Sequence, residues 1–176
     1  ATAGKKNGSH IWTQLNHPGK QIPNFIVDVP VAPSAIALTR GLEKGFNKPR
    51  ALLEEEILVI IKKFATSAKL AKEAGFTGVQ IHGAHGYLVS QFLSPRHNQR
   101  EDQWGGSLEN RMRFVLSIYN AIREQVGADF PIGIKLNSAD FMKGGFTEED
   151  SMQVVKTLAD AGIDLIEISG GSYENP

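Results

Sequence analysis

The chain has 176 residues, of which 41% are hydrophobic and 22% charged, an ordinary composition for a globular domain with its own core. Nineteen Lys and Arg balance nineteen Asp and Glu, so no net field draws it to nucleic acid or to a membrane surface, and neither partner is expected. There is no cysteine, which excludes disulfides, thiolate nucleophiles and cysteine-ligated zinc or iron–sulfur centres within these residues.

No apolar run approaches membrane-spanning length and residues 1–10 lack a hydrophobic signal core, so a cytoplasmic location is the expectation. The first predicted element is a strand, Ile11-Trp12-Thr13-Gln14-Leu15. A loop-rich stretch carrying Pro18, Pro23, Pro30, Pro33 and Pro49 follows, before a helix that begins near Glu54 although Leu53 is a poor cap. The helical pattern of residues 64–74 stops at Gly75 and runs into a strand at Val79-Gln80-Ile81. A second helix, residues 111–126, stops at Gly127 and leads to Pro131-Ile132-Gly133-Ile134-Lys135-Leu136. A third, residues 151–161, stops at Gly162 and leads to Asp164-Leu165-Ile166-Glu167-Ile168. Ser107 is placed to cap the second helix and Thr147, followed by three acids, the third. Strands alternating with helices predict a parallel sheet with helical crossovers, either doubly wound or part of a barrel.

Period-two alternation divides each strand into two faces. Val79 and Ile81 oppose Gln80 and His82; Ile132, Ile134 and Leu136 oppose Gly133, Lys135 and Asn137. Gln14, His82 and Lys135 therefore fall on one polar face near the C-terminal ends of successive strands. In a barrel that face is the interior, where a lysine needs a compensating partner or an anionic ligand.

The stretch Val79-Gln80-Ile81-His82-Gly83-Ala84-His85-Gly86-Tyr87-Leu88 carries the most chemistry. Small residues at 83 and 84 let the backbone turn, so that His85 and Tyr87 come round beside His82 at a strand end, where α/β proteins place their sites. Two histidines and a tyrosine within six residues suit an anion or a polarised carbonyl. His-x-x-His also admits a metal-dependent hydrolase, although the acids needed as further ligands are not evident nearby, and either histidine alone can serve as a structural cap. The segment 94–107 is too long for a simple turn; Pro95, Trp104 and Ser107 suggest an ordered functional cover. Its Gly105-Gly106-Ser107 lacks a phosphate-loop fingerprint and reads as a helix cap.

The runs Gln14-Leu15-Asn16-His17-Pro18-Gly19-Lys20, Ile81 through Leu88, Gln91-Phe92-Leu93-Ser94-Pro95, Asn98 through Arg113, Gly133-Ile134-Lys135-Leu136 and Ser169-Gly170-Gly171 together closely resemble the old yellow enzyme family of FMN-dependent ene reductases. The resemblance covers nearly the whole chain. It implies a (β/α)8 TIM barrel, an α/β fold, with FMN at its C-terminal mouth, and makes residues 1–176 a partial FMN-binding barrel domain covering roughly strands 3 to 6. The first two strands, the last two and the loops that seat the flavin phosphate then lie outside these residues, so that residues 1–176 alone are expected to hold flavin weakly or not at all.

By the same resemblance Gln14 contacts the flavin pyrimidine edge. Lys135 falls where most members carry an arginine near flavin N1 and O2, keeping the charge and losing the planar fork. His82 and His85 match the pair that binds the substrate carbonyl, and Tyr87 matches the proton donor. The implied activity is hydride transfer from NADH or NADPH, through FMN, to the activated double bond of an α,β-unsaturated carbonyl compound. The expected partner is a small-molecule substrate, with a homo-oligomer compatible with the pattern. An inactive structural fragment of such an enzyme is the alternative, and the substrate and an iron–sulfur domain beyond residue 176 stay open.

Overall fold

Four apolar runs alternate with long amphipathic segments, and each run pairs in parallel with the next. A computed structural model describes residues 1–175. In chain order the elements are β1 (Trp12–Leu15), β2 (Val31–Ala32), β3 (Arg50–Ala51), α1 (Glu54–Glu73), β4 (Gly78–Gly83), α2 (Leu88–Leu93), α3 (Leu108–Val126), β5 (Ile132–Asn137), α4 (Glu148–Asp160) and β6 (Leu165–Ser169), with 3-10 turns at Ala3–Gly8 and Leu42–Lys44. The main sheet has the order β1-β4-β5-β6, all parallel. Sequential neighbours joined by helical crossovers are the arrangement of consecutive units in an α/β barrel.

The faces divide as the alternation predicts. Val79, Ile81, Ile132, Ile134 and Leu136 are fully buried and form one core with Ile57, Phe64 and Ala68 of α1 and Phe114, Ile118 and Ile122 of α3. Register places Gln14 beside Gln80, His82 beside Lys135 and Lys135 beside Glu167 on the other face. Near the base of that face the Trp12 indole lies over two glycines. An added Cβ at Gly78 would stand 2.3 Å from the indole, and one at Gly133 would stand 2.9 Å from it. Gly78→Ala should therefore destabilise the protein by about 1–3 kcal/mol through overpacking. A denaturation midpoint equal to that of the parent would show that Trp12 has room to move.

The helix ends carry the expected caps. Ser107 Oγ accepts from the Asn110 amide at 3.3 Å, and Thr147 Oγ1 accepts from the Asp150 amide at 3.2 Å. At the weak start of α1, the Glu56 carboxylate accepts from the Leu53 amide at 2.9 Å and takes two hydrogen bonds from Arg50 at 2.6 and 2.7 Å. A first-turn acid thus supplies what Leu53 cannot. Two features were not predicted: the short parallel pair β2-β3, inside the proline-rich stretch, and α2, a six-residue helix buried along its whole length. The 94–107 segment is ordered by Asn98, which donates to the carbonyls of Phe92 and Trp104, and by Arg100, which donates to those of Pro33 and Leu52.

Candidate active site

Beyond β4 the chain turns through His85 and Gly86, with φ of 59° and 75°. A left-handed conformation costs a non-glycine residue of order 1 kcal/mol or more and persists only where its surroundings enforce it. Here the His85 amide donates to Asn137 Oδ1 at 3.1 Å, His85 bridges to Ser172, and Gln21 donates to the His85 carbonyl. The turn brings three rings together. His82 meets His85 edge to face with centroids 5.1 Å apart, and meets Tyr87 likewise at 4.8 Å.

The hydrogen bonds fix much of the chemistry. His82 Nδ1 accepts from the Ala84 amide at 3.3 Å, which leaves the ring proton of the neutral side chain on Nε2. Burial, aided by His85 and Lys135 and opposed by Glu167, pushes the His82 pKa down to about 4. His85 is also lowered, by burial and then by Lys135. Both rings are therefore neutral near pH 7, and His82 presents its Nε2–H as a donor. His85 Nε2 lies 2.7 Å from Ser169 Oγ.

Tyr87 does not stand alone. Its hydroxyl is 2.8 Å from that of Tyr173, and this hydrogen bond, with burial, pushes its pKa up to about 12. The phenol stays protonated and available as a donor. Tyr87 and Tyr173 share a recess of about 280 Å³ with His85, Gly170, Gly171 and Ser172.

On the inward face of the sheet a polar row crosses all four strands. Gln14 Nε2 donates to Gln80 Oε1 at 2.7 Å, Gln80 Nε2 donates to Glu167 Oε2 at 2.8 Å, and Lys135 Nζ meets Glu167 Oε1 at 2.8 Å. Glu167 is the partner that an interior lysine requires, and the Lys135 and Gln80 hydrogen bonds hold its carboxyl below the usual range.

The structure thus gathers His82, His85 and Tyr87 in one cluster and places Gln14 and Lys135 in the adjoining row. Gln80, Glu167, Ser169 and Tyr173 were missed. Glu167 had a signal, since an acid at an alternate position in β6 is the natural counter-charge for Lys135. Tyr173 had none, because its contact with Tyr87 joins residues 86 apart. Among the described residues, no three or more His, Asp or Glu side chains gather as a metal site, and the nitrogens of the histidine pair that are engaged face the Ala84 amide and the Ser169 hydroxyl.

These shifts carry a pH dependence. A histidine with a lowered native pKa binds its proton more readily in the unfolded chain, so native stability falls as pH drops below the ordinary value of 6.5. His17, His82, His85 and His97 all act in that direction, with His82 still unprotonated until about 4 and His97 until about 3. Asp140, raised by burial, opposes them. The thermal unfolding midpoint should fall between pH 6.5 and 4; a flat or rising midpoint would contradict the assignment of neutral buried rings.

Parallel βα units with polar side chains gathered at the C-terminal strand ends are the setting of sites in α/β enzymes, barrels and doubly wound sheets alike. Residues 1–175 match the model of the NADH:flavin oxidoreductase / NADH oxidase family, and the chain belongs to that family. It is 42% identical over 176 residues to the NADH-dependent flavin oxidoreductase nadA of Aspergillus parasiticus, covering 99% of this chain and 40% of that protein. Among solved structures it resembles 2-naphthoyl-CoA reductase in complex with 2-naphthoyl-CoA (TM-score 0.90, 33% identity, 96% of this chain and 27% of that one). It also resembles the old yellow enzyme homologue of Zymomonas mobilis (TM-score 0.84, 28% identity, 99% and 54%). The strands and helices are thus part of a TIM barrel of the old yellow enzyme type, a family whose cofactor is FMN and whose reductant is NADH or NADPH. The chain spans less than two thirds of the length of each of these proteins.

Proposed function

We propose that residues 1–176 supply strands 3 to 6 of an FMN-dependent barrel that reduces the activated double bond of an α,β-unsaturated carbonyl compound at the expense of NADH or NADPH. The observation that carries this reading is the cluster of two neutral histidines and a protonated tyrosine, in which the His82 ring packs edge to face on His85 and Tyr87 and the latter two line one recess. The naphthoyl group of the ligand bound by one structural neighbour is itself a conjugated carbonyl, which agrees with the substrate class.

The residues present fit a flavin. The Gln14–Gln80–Glu167–Lys135 row offers amides and an ammonium on one inward face, groups of the kind that suit the acceptors and donor of a flavin pyrimidine edge. Gln14 and Lys135 would hold that edge, with Lys135 offsetting negative charge on it. FMN, when bound, supplies hydride transfer between the nicotinamide and the substrate.

The protein's own contribution is orientation and electrostatics. The His82 Nε2–H, with His85 beside it, donates to the carbonyl oxygen of the substrate and stabilises the negative charge that grows there as hydride reaches the β-carbon. Tyr87 then gives its hydroxyl proton to the α-carbon. The Tyr173 hydroxyl, bonded to that of Tyr87 and partly exposed, is placed to return a proton from solvent.

The reading is tested by reducing a cyclic enone with NADH in D2O using the full-length protein and locating the label. Solvent deuterium should appear at the α-carbon. A product without solvent deuterium at the α-carbon, or no consumption of enone while NADH is oxidised, would refute it.

A further inference from the structure

Tyr173 and Glu174 are adjacent and differ sharply in surroundings: Tyr173 is 42% exposed over the Tyr87 hydroxyl, whereas Glu174 is 3% exposed. The Tyr173 ring touches the edges of Tyr87 and Phe46, so ring contacts alone hold it loosely. Glu174 is held firmly. Its Oε1 accepts from the Thr39 amide at 3.0 Å and from the Thr39 hydroxyl, with the Arg96 guanidinium 3.8 Å away. Its Oε2 lies 3.4 Å from His97 Nε2, outside hydrogen-bond alignment, and has no hydrogen-bond partner among the described residues. His97 Nδ1 in turn lies 2.9 Å from Nζ of Lys20, which is 1% exposed and also donates to the Ile36 carbonyl at 3.0 Å.

The donor directions in this chain are determined. An ammonium has no acceptor, so His97 Nδ1 must accept from Lys20, which puts the His97 proton on Nε2, toward Glu174. Burial and the Lys20 charge hold His97 neutral, with its pKa down to about 3, while burial lowers Lys20 only to about 8. The result is a buried cation, a neutral imidazole and a buried carboxylate spanning three loops. Lys20 follows β1, His97 lies in the 94–107 segment and Glu174 follows β6. Buried ionic groups of this kind are commonly no more stabilising than well-packed apolar residues. What they add is geometry.

We propose that Lys20, His97 and Glu174 form a positioning relay which pins the loop after β6 so that Tyr173 is held against Tyr87, and which thereby governs proton delivery at the active site. The inference rests on the proposed role of Tyr87 as proton donor. None of the three touches the reacting atoms; they act through Tyr173.

The test uses the full-length flavoprotein and the variants Glu174→Gln, His97→Leu and His97→Gln, with Tyr173→Phe and Tyr87→Phe as references. Reduction by NADH and reoxidation by an enone are followed separately under anaerobic conditions. Glu174→Gln and His97→Leu should slow reoxidation roughly tenfold, within the loss that slight misplacement of a reacting group produces. Their solvent isotope effect on that step should rise, and reduction should stay within about twofold of the parent, because positioning of the donor bears on proton transfer alone. His97→Gln, which keeps an acceptor for Lys20 and a donor for Glu174, should recover most of the rate, and Glu174→Gln should add nothing in a Tyr173→Phe background. Equal losses in both half-reactions, additivity with Tyr173→Phe, or failure of Glu174→Gln and His97→Leu to fold would make the cluster merely structural and overturn the proposal. If Tyr87→Phe slows reoxidation while Glu174→Gln does not, the relay alone falls. If Tyr87→Phe has no effect, the proton-donor reading falls first.

Discussion

Replacing Tyr87 by Phe in the full-length flavoprotein should slow reoxidation by an enone about a hundredfold or more, the usual contribution of a positioned general acid, and leave reduction by NADH or NADPH near the parent rate. The asymmetry follows from the site. Tyr87 keeps its proton through the hydrogen bond to Tyr173 and through burial, and that proton is needed only once the substrate carbon has become basic. Phenylalanine preserves the edge contact with His82 and the shape of the recess, so a packing effect should be small. Separate stopped-flow measurement of the two half-reactions decides the matter. Equal slowing of both would mean that Tyr87 supports the flavin site and does not act as an acid.

The second large effect concerns the histidines. Removing His82 with alanine should weaken a phenolate-type ligand by about ten- to a hundredfold, the roughly 1.5–3 kcal/mol that a hydrogen bond to a charged oxygen contributes. His85→Ala should act in the same direction. His82 is expected to dominate, since the Ala84 amide occupies its Nδ1 and leaves Nε2–H as its free donor, whereas His85 Nε2 is already engaged with Ser169. Titration of the flavin spectrum with the ligand provides the dissociation constants. Unchanged constants in both variants would remove the pair from the binding site.

Much of the framework was legible in the sequence because it depends on local rules. Branched apolar runs after glycine stops located β4, β5 and β6, and alternation placed Gln14, His82 and Lys135 on one face. The tight turn after His82 was visible in Gly83 and Ala84, although the left-handed residue is His85 itself, held by Asn137 from the neighbouring strand. What escaped was set by contacts between distant segments. The pairing of Val31–Ala32 with Arg50–Ala51 is a two-residue ladder that leaves no periodicity to read. Tyr173 and the Lys20–His97–Glu174 cluster acquire meaning only when loops from different strand ends meet at one mouth. Individually, each is an ordinary polar residue in a loop or at a strand position.

The proposed flavin site with its neutral histidine pair is tested by the visible absorption spectrum of the full-length protein as purified, before and after anaerobic addition of NADH or NADPH. The predicted result is a bound flavin band, stoichiometric with protein, that bleaches on addition of the nicotinamide and returns on addition of an enone. A protein that purifies without flavin, fails to take up FMN and carries instead a stoichiometric metal lost on substitution of His82 or His85 would contradict it and make the pair metal ligands.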